Sequence, residues 1–344
     1  MRFKDYVLSL ALVAALIMAP MAGTQAMAAD TTDWRMGSGK MGSFGYATAA
    51  SVAKVAGKYS KNLRFSVSPT QGSTASMKLF GKGDVDSCYA SNFQLWQALH
   101  NEGPFAKKTL QRKVYQTIYT YTAEYSVMTL KKRDDIKTIS DLKGKKVFMY
   151  PAATGPHDLY KKVFKILGMV DQVKHVEISL MQAPDLLKSG VVDAVVTCSV
   201  AQLTPNAYTE NLVTRSDLKI INFNAEEEEK LKKGGVVMVN YDPKAVFGKK
   251  LGVDAVICPS IVFGYQTGPN MSADNVYNFV KSLMEHTGEL VKVSKGFKGM
   301  QKGGLEFQTA VINSIPDVPV HAGLARYLKE KGVWNDAWKV GADK

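Results

Sequence analysis

Short apolar runs alternate with amphipathic stretches along most of this chain. Trp34-Arg35-Met36, Leu63 to Ser68, Lys145 to Tyr150 and Val176 to Leu180 read as strands. Between them lie stretches with helical spacing. Tyr46 to Tyr59 carries Ala47, Ala49, Ala50, Ala53 and Ala56, small enough for close packing on a sheet. Another buries Leu159, Val163, Ile166 and Leu167 on one face and stops at Gly168. Val114 to Tyr121, Tyr125 to Leu130, Val236 to Val239 and Ala255 to Tyr265 add strands, Glu226 to Lys233 a charged, solvated helix, and Ala273 to Val293 a long amphipathic one. The alternation predicts an α/β fold with parallel sheets and helices on both faces.

One phrase occurs twice, about a hundred residues apart, too few copies for a solenoid. Leu79-Phe80-Gly81-Lys82-Gly83-Asp84-Val85-Asp86 runs into Ser87-Cys88-Tyr89-Ala90-Ser91, and Leu186-Leu187-Lys188-Ser189-Gly190-Val191-Val192-Asp193 runs into Ala194-Val195-Val196-Thr197-Cys198-Ser199. Each copy reads as a helix end, a glycine cap, an Asp in the turn and a buried strand ending in small polar residues. Two units with the same exit predict two similar lobes whose strand ends, Ser91-Asn92 and Cys198-Ser199, face one cleft. The lobes are expected over residues 29–127 with 258–344, and over 128–257, joined by extended crossovers near Val127 to Lys131 and Val256 to Val262.

The first residues stand apart from this pattern. Arg2 and Lys4 precede an apolar run from Tyr6 to Met18, and Ala26-Met27-Ala28 supplies a small-x-small cleavage site. Residues 1–28 are therefore expected to be a cleavable signal peptide of an exported, periplasmic protein; the run is short for a membrane span. The formal net charge of +13 is scattered over pairs such as Lys107-Lys108 and Lys249-Lys250, with no nucleic-acid motif. Solvated faces and a general attraction for anions account for it, and no nucleic acid partner is expected. The 3 cysteines, Cys88, Cys198 and Cys258, are an odd number in strand-like settings, which predicts buried thiols rather than a disulfide framework.

Three segments share a strand, a Gly/Ser/Thr-rich loop and a helix start: Gly37 to Phe44 (with Gly42), Thr70 to Ser73, and Ala153 to Pro156. Free N–H groups at helix starts and small hydroxyls suit an anionic or zwitterionic small molecule. Enzyme signatures are missing: Gly37-x-Gly39 lacks the third glycine of a dinucleotide fingerprint, no Gly-x-Ser-x-Gly elbow appears, and the 5 histidines have no metal-ligand spacing. No catalytic residue, metal or cofactor is expected. His157 follows a candidate loop, and surface and cleft placements are both open to it. Glu124, between Tyr121 and Tyr125, reads as a cleft residue or an exposed edge charge.

These motifs resemble the TAXI-type solute-binding proteins, the extracytoplasmic receptors of a class of TRAP transporters. Gly37-Ser38 with Gly42-Ser43-Phe44, Pro69-Thr70-Gln71-Gly72-Ser73, Gly83 to Asp86, Asn101-Glu102-Gly103-Pro104-Phe105 and above all Pro319-x-His321-x-Gly323 with Arg326-Tyr327 carry the resemblance across nearly the whole mature chain. It implies a two-lobe periplasmic-binding-protein fold (type II-like) that closes as a hinge on an acidic amino acid or dicarboxylate, without a metal cofactor, and delivers it to TRAP transporter membrane subunits. A monomer is expected. Carried over by position, contacts fall on Ser43, Phe44, Ser73, Ser91, Asn92, Thr154 and Gly155, beside Gly42, Thr70, Tyr121, Glu124, His157 and Ser199 from the loops and strand ends. Gly45 stands where a second aromatic is usual, Ser76 where Asn is frequent, and Ser91-Asn92-Phe93 replaces a Gln-Ser-Asp triplet. The missing acid favours a carboxylate without an α-amino group over glutamate. The same clamp would also serve a sensory protein presenting its ligand to a membrane receptor kinase.

Overall fold

A computed structural model describes residues 31–60 and 62–342; the leader expected over residues 1–28 lies outside them. A two-stranded parallel sheet pairs β1 (Thr32–Gly37) with β2 (Leu63–Ser68), Trp34 opposite Phe65. Helix α1 (Phe44–Tyr59) connects them, its buried face made of Ala49, Val52, Val55 and Ala56. Helix α2 (Ser73–Lys82) leads to β3 (Cys88–Ser91), and α3 (Asn92–Leu99) follows at once. The chain then enters β4, Tyr115–Leu130, a single strand of 16 residues.

The second lobe grows from the far end of β4. Strands β5 (Lys146–Phe148), β6 (Lys174–His175) and β7 (Ala194–Val200) are parallel, with α4 (Gly155–Ile166) and α5 (Ala183–Lys188) as their connections. Strands β8 (Thr204–Pro205), β9 (Leu218–Ile221) and β10 (Met238–Tyr241) complete it, with α6 (Ala207–Arg215) and α7 (Ala225–Lys233) between them. Strand β11 (Val256–Thr267) returns the chain. It pairs with β10 at its start and with β3 near its end, and with β4 from Ser260 to Thr267. The order is β10-β11-β4-β7-β5-β6, so one curled sheet of 9 strands runs through both lobes.

The repeated phrase has a repeated job. In the first lobe the Asp86 carboxylate accepts the Arg35 N–H at 2.9 Å while the Asp86 N–H donates to the Arg35 carbonyl. In the second, Asp193 makes the same reciprocal pair with Lys146, at 2.8 Å. An arginine completes each clamp, Arg35 on Asp86 and Arg133 on Asp193. Gly83 and Gly190 turn the chain beforehand at φ of +91° and +77°, where a side chain would be strained. Each phrase therefore ties its own strand to the first strand of its lobe.

Three elements differ from expectation. The break foreseen at Thr122 to Glu124 is absent, because β11 and β7 pair with both edges of β4 there. The long C-terminal helix splits into α8 (Ala273–Met284) and α9 (Thr287–Val293), where His286 stacks on Tyr59 and its Nδ1 lies against the Ser282 carbonyl. The strand foreseen at Val176 to Leu180 forms two residues earlier, at Lys174–His175. The phrase at Pro319 is structural: His321 Nδ1 accepts the Gly323 N–H, capping Ala322–Glu330, and a Cβ on Gly323 would meet the Ala273 carbonyl at 2.6 Å. No helix of the described residues is long and apolar enough to cross a membrane.

Asp86→Asn and Asp193→Asn should each lower stability by about 1–3 kcal/mol, read by urea unfolding. Burial pushes both carboxyls up, but the hydrogen bonds from Arg35, and from Lys146 and Arg133, hold them below the ordinary 3.8. Their stabilisation is thus present above that pH and is lost as pH falls through the lower folded values. Variants as stable as the parent at neutral pH would contradict the clamp.

Candidate functional site

The expected loops come together, and most of their polar groups are spent on holding them. Ser43 caps α1, its Oγ accepting the Tyr46 N–H, beside Gly42 at φ +80°. The Thr70 hydroxyl donates to the Ser38 carbonyl at 2.6 Å and binds the second loop to the first. Ser91 forms a capping box with Gln94, and Asn92 accepts from the Val262 N–H and donates to Ser314. The Thr154 hydroxyl turns back to the Pro151 carbonyl at 2.7 Å. Thr70, Ser91, Asn92 and Thr154 thus shape the site through hydrogen bonds within the protein.

Between the lobes, two helix starts meet. Ser73 Oγ accepts the Gly155 N–H at 2.9 Å, and the Thr74 hydroxyl donates to Asp158 at 2.7 Å while accepting from Gln94. Gly72 lies against the opposite loop at φ +150°; a Cβ there would meet Thr154 Cγ2 at 2.7 Å and the Ala153 carbonyl at 2.8 Å. Opposed N-termini repel each other, and the carboxylate of Asp158 at the start of α2 offsets that. The two loops are in direct contact.

Beside this contact the pleat of β4 divides the expected residues between two faces. Successive side chains alternate, so Tyr121 and Tyr125 share one face and Glu124 takes the other. On the first, the Tyr121 and Tyr89 hydroxyls bond each other, and Phe44 meets Tyr121 edge-on at 4.8 Å. Tyr125 packs edge-on against Tyr150 at 5.6 Å, and the Tyr150 hydroxyl accepts from Asn206. Burial pushes the Tyr89, Tyr121, Tyr125 and Tyr150 hydroxyls well above their ordinary pKa, which keeps them neutral. Tyr150 holds φ +72°, an outlier for a bulky residue, at the rim of this cluster.

Glu124 and Ser199 point the other way. Glu124 is fully buried, and its carboxylate accepts from Thr122 at 2.6 Å, Ser199 at 2.7 Å and the Gln202 N–H at 3.1 Å. Burial pushes this carboxyl up, partly offset by those donors. It holds the turn at Ala201 and Gln202, both with φ of +54°. It is neither an exposed edge charge nor a neighbour of Tyr121. His157 is half-buried, Nδ1 on the Tyr150 carbonyl and its ring edge-on to His175, with burial first and His175 second lowering its pKa. It braces the strained Tyr150 loop instead of lying on the surface.

Tyr89, Tyr125, Tyr150 and Asn206 were not among the expected contacts. The signal was available for Tyr125, since tyrosines at 121 and 125 share strand parity. All three cysteines are buried and free, and burial pushes their thiols up. Among the described residues no group of His, Cys, Asp and Glu is placed to hold a metal ion.

The sequence profile of the NMT1-like family matches residues 36–332. No curated protein matches the sequence. Among solved structures, the chain is similar to the periplasmic aliphatic sulphonate binding protein SsuA from Escherichia coli, with 12% identity over 87% of this chain and 90% of that one, TM-score 0.46. It is similar to the alkanesulfonate-binding protein SsuA from Xanthomonas axonopodis pv. citri bound to MOPS, with 13% identity over 91% and 98%, TM-score 0.44. It is also similar to a histidine kinase sensor domain with similarity to periplasmic binding proteins, with 10% identity over 78% and 96%, TM-score 0.48.

Burial raises the Asp158 carboxyl from 3.8 to about 6, against the opposing pull of Thr74. A raised folded value means that stability is fully present below the unfolded pKa and declines as pH rises through about 6. Asp158→Asn should remove this decline, on the order of 1–2 kcal/mol, in urea unfolding followed from acid to neutral pH. Parallel pH profiles for parent and variant would contradict it.

Proposed function

The chain belongs to the NMT1-like family, and from that premise we propose that it is an extracytoplasmic solute-binding receptor that captures a small organic carboxylate between its lobes. The observation that carries this reading is the Ser73–Gly155 contact. It joins two loops foreseen as ligand loops, one in each lobe, next to the tyrosine face of β4. Residues 128–257 act as the moving lobe, turning on β4 near 127 and on β11 near 258. Ligand contacts to both sides favour the closed state, because only that state offers them together.

The chemistry of the face narrows the solute. Phe44, Tyr89, Tyr121, Tyr125 and Tyr150 offer apolar walls and neutral phenols, and helix starts offer N–H groups. A carboxylate is therefore met by neutral donors. An α-ammonium lacks its acid: Asp158 is engaged with Thr74, and Glu124 lies on the opposite face of β4. A dicarboxylate or related acid fits this face better than glutamate. The mature protein begins near Ala29, works in the periplasm without a metal cofactor, and hands its solute to TRAP-type membrane subunits.

Mass spectrometry of what co-purifies with the protein, followed by calorimetry, tests this. Succinate-like dicarboxylates should bind and glutamate should not. Ser73→Ala should weaken binding by about three- to tenfold, the worth of one hydrogen bond, without unfolding the chain. Tight glutamate binding with no dicarboxylate response would sink the carboxylate reading. An unchanged affinity in Ser73→Ala would sink the site.

A further inference from the structure

A second groove opens between the lobes, along the edge of β11 between β10 and β3. It has a volume of about 340 Å³. Its walls are Phe93 and Trp96 of α3 on one side and Leu159 of α4 with Val236 on the other, over Ser260 and Ile261 of β11. Ser260 and Ile261 lie on the edge of β11 left open between its pairing with β10, which ends at Pro259, and with β3, which begins at Phe263.

One side chain in it is out of balance. The Lys162 ammonium lies over the Phe93 ring at 5.3 Å and the Trp96 ring at 4.8 Å, half-buried. Among the described residues no carboxylate comes within ion-pair distance of it. The other lysine of the groove, Lys233, is paired with Glu229. Burial lowers the pKa of Lys162, with Glu102 acting against it from a distance. Ring faces attract a cation but leave its remaining N–H donors unmet.

We infer that this groove is a binding site for a small apolar carboxylate, its anionic end on Lys162 and its flat or aliphatic body between Phe93, Trp96 and Val236. The apolar lining excludes a highly charged occupant, and the single unpaired cation selects one negative charge. The groove shares Asn92 with the expected cleft contacts but none of the tyrosines, and its occupant does not depend on what the cleft binds.

Naphthoate is a suitable probe, with naphthylmethanol as its neutral counterpart, both titrated by calorimetry and Trp fluorescence. The parent should bind naphthoate more tightly than the alcohol. Lys162→Gln should weaken naphthoate by about tenfold and leave the alcohol unchanged, while Lys162→Arg keeps naphthoate within about threefold. Ser73→Ala, which alters the cleft, should leave naphthoate binding in place. Equal naphthoate affinity in the parent and Lys162→Gln, or no preference for the acid over the alcohol, would overturn the site. So would loss of naphthoate in Ser73→Ala with Lys162→Gln unaffected, since that places the anion in the cleft.

Discussion

The antiparallel pairing of β4 with β11 is the constraint on which the molecule depends. These two strands are long enough to serve both lobes. One ladder, from Ser260–Glu124 to Thr267–Tyr115, therefore joins the lobes and separates two working faces. Strand pleat does the separating. A side chain at 121 and one at 124 cannot share a face, however close they are in sequence. The tyrosine cluster thus belongs to one side and the buried carboxylate to the other.

The two faces treat charge differently. The tyrosine face is neutral and aromatic, with the Tyr89 and Tyr121 hydroxyls paired with each other and that of Tyr150 with Asn206. The opposite face buries an acid, Glu124, that is served only by hydroxyls and one N–H. A buried carboxylate without a cation survives when both oxygens are met by donors, and three donors meet them here. Lys162 shows the reverse condition, a cation with aromatic faces but no acid. The two groups do not neutralise each other, and each controls its own neighbourhood: a strained turn for Glu124, an open groove for Lys162.

Several motifs that look like ligand sites are structural on inspection of their partners. The glycine-Asp phrase clamps the first strand of each lobe, His321 caps a helix, and Thr70 fastens one loop to another. Small polar residues at strand ends serve either purpose, since the same hydroxyl can cap a helix or touch a solute. Which purpose it serves depends on whether a backbone group lies closer than the cleft.

What the chain determined by itself was local and periodic. The alternation of runs called for an α/β fold, the doubled phrase for two related lobes, and the three Gly/Ser/Thr loops for helix starts with free N–H groups. These follow from residues within a few positions of one another, where propensity and spacing act directly. The tertiary structure decided what depends on distant partners. It joined Tyr121 and Tyr125 into one strand through β7 and β11, broke the last long helix where His286 stacks on Tyr59, and turned Glu124 inward. It also set Lys162 between two rings from another lobe. Pairing edges and charge partners come from residues far away in sequence, so only the folded chain could assign them.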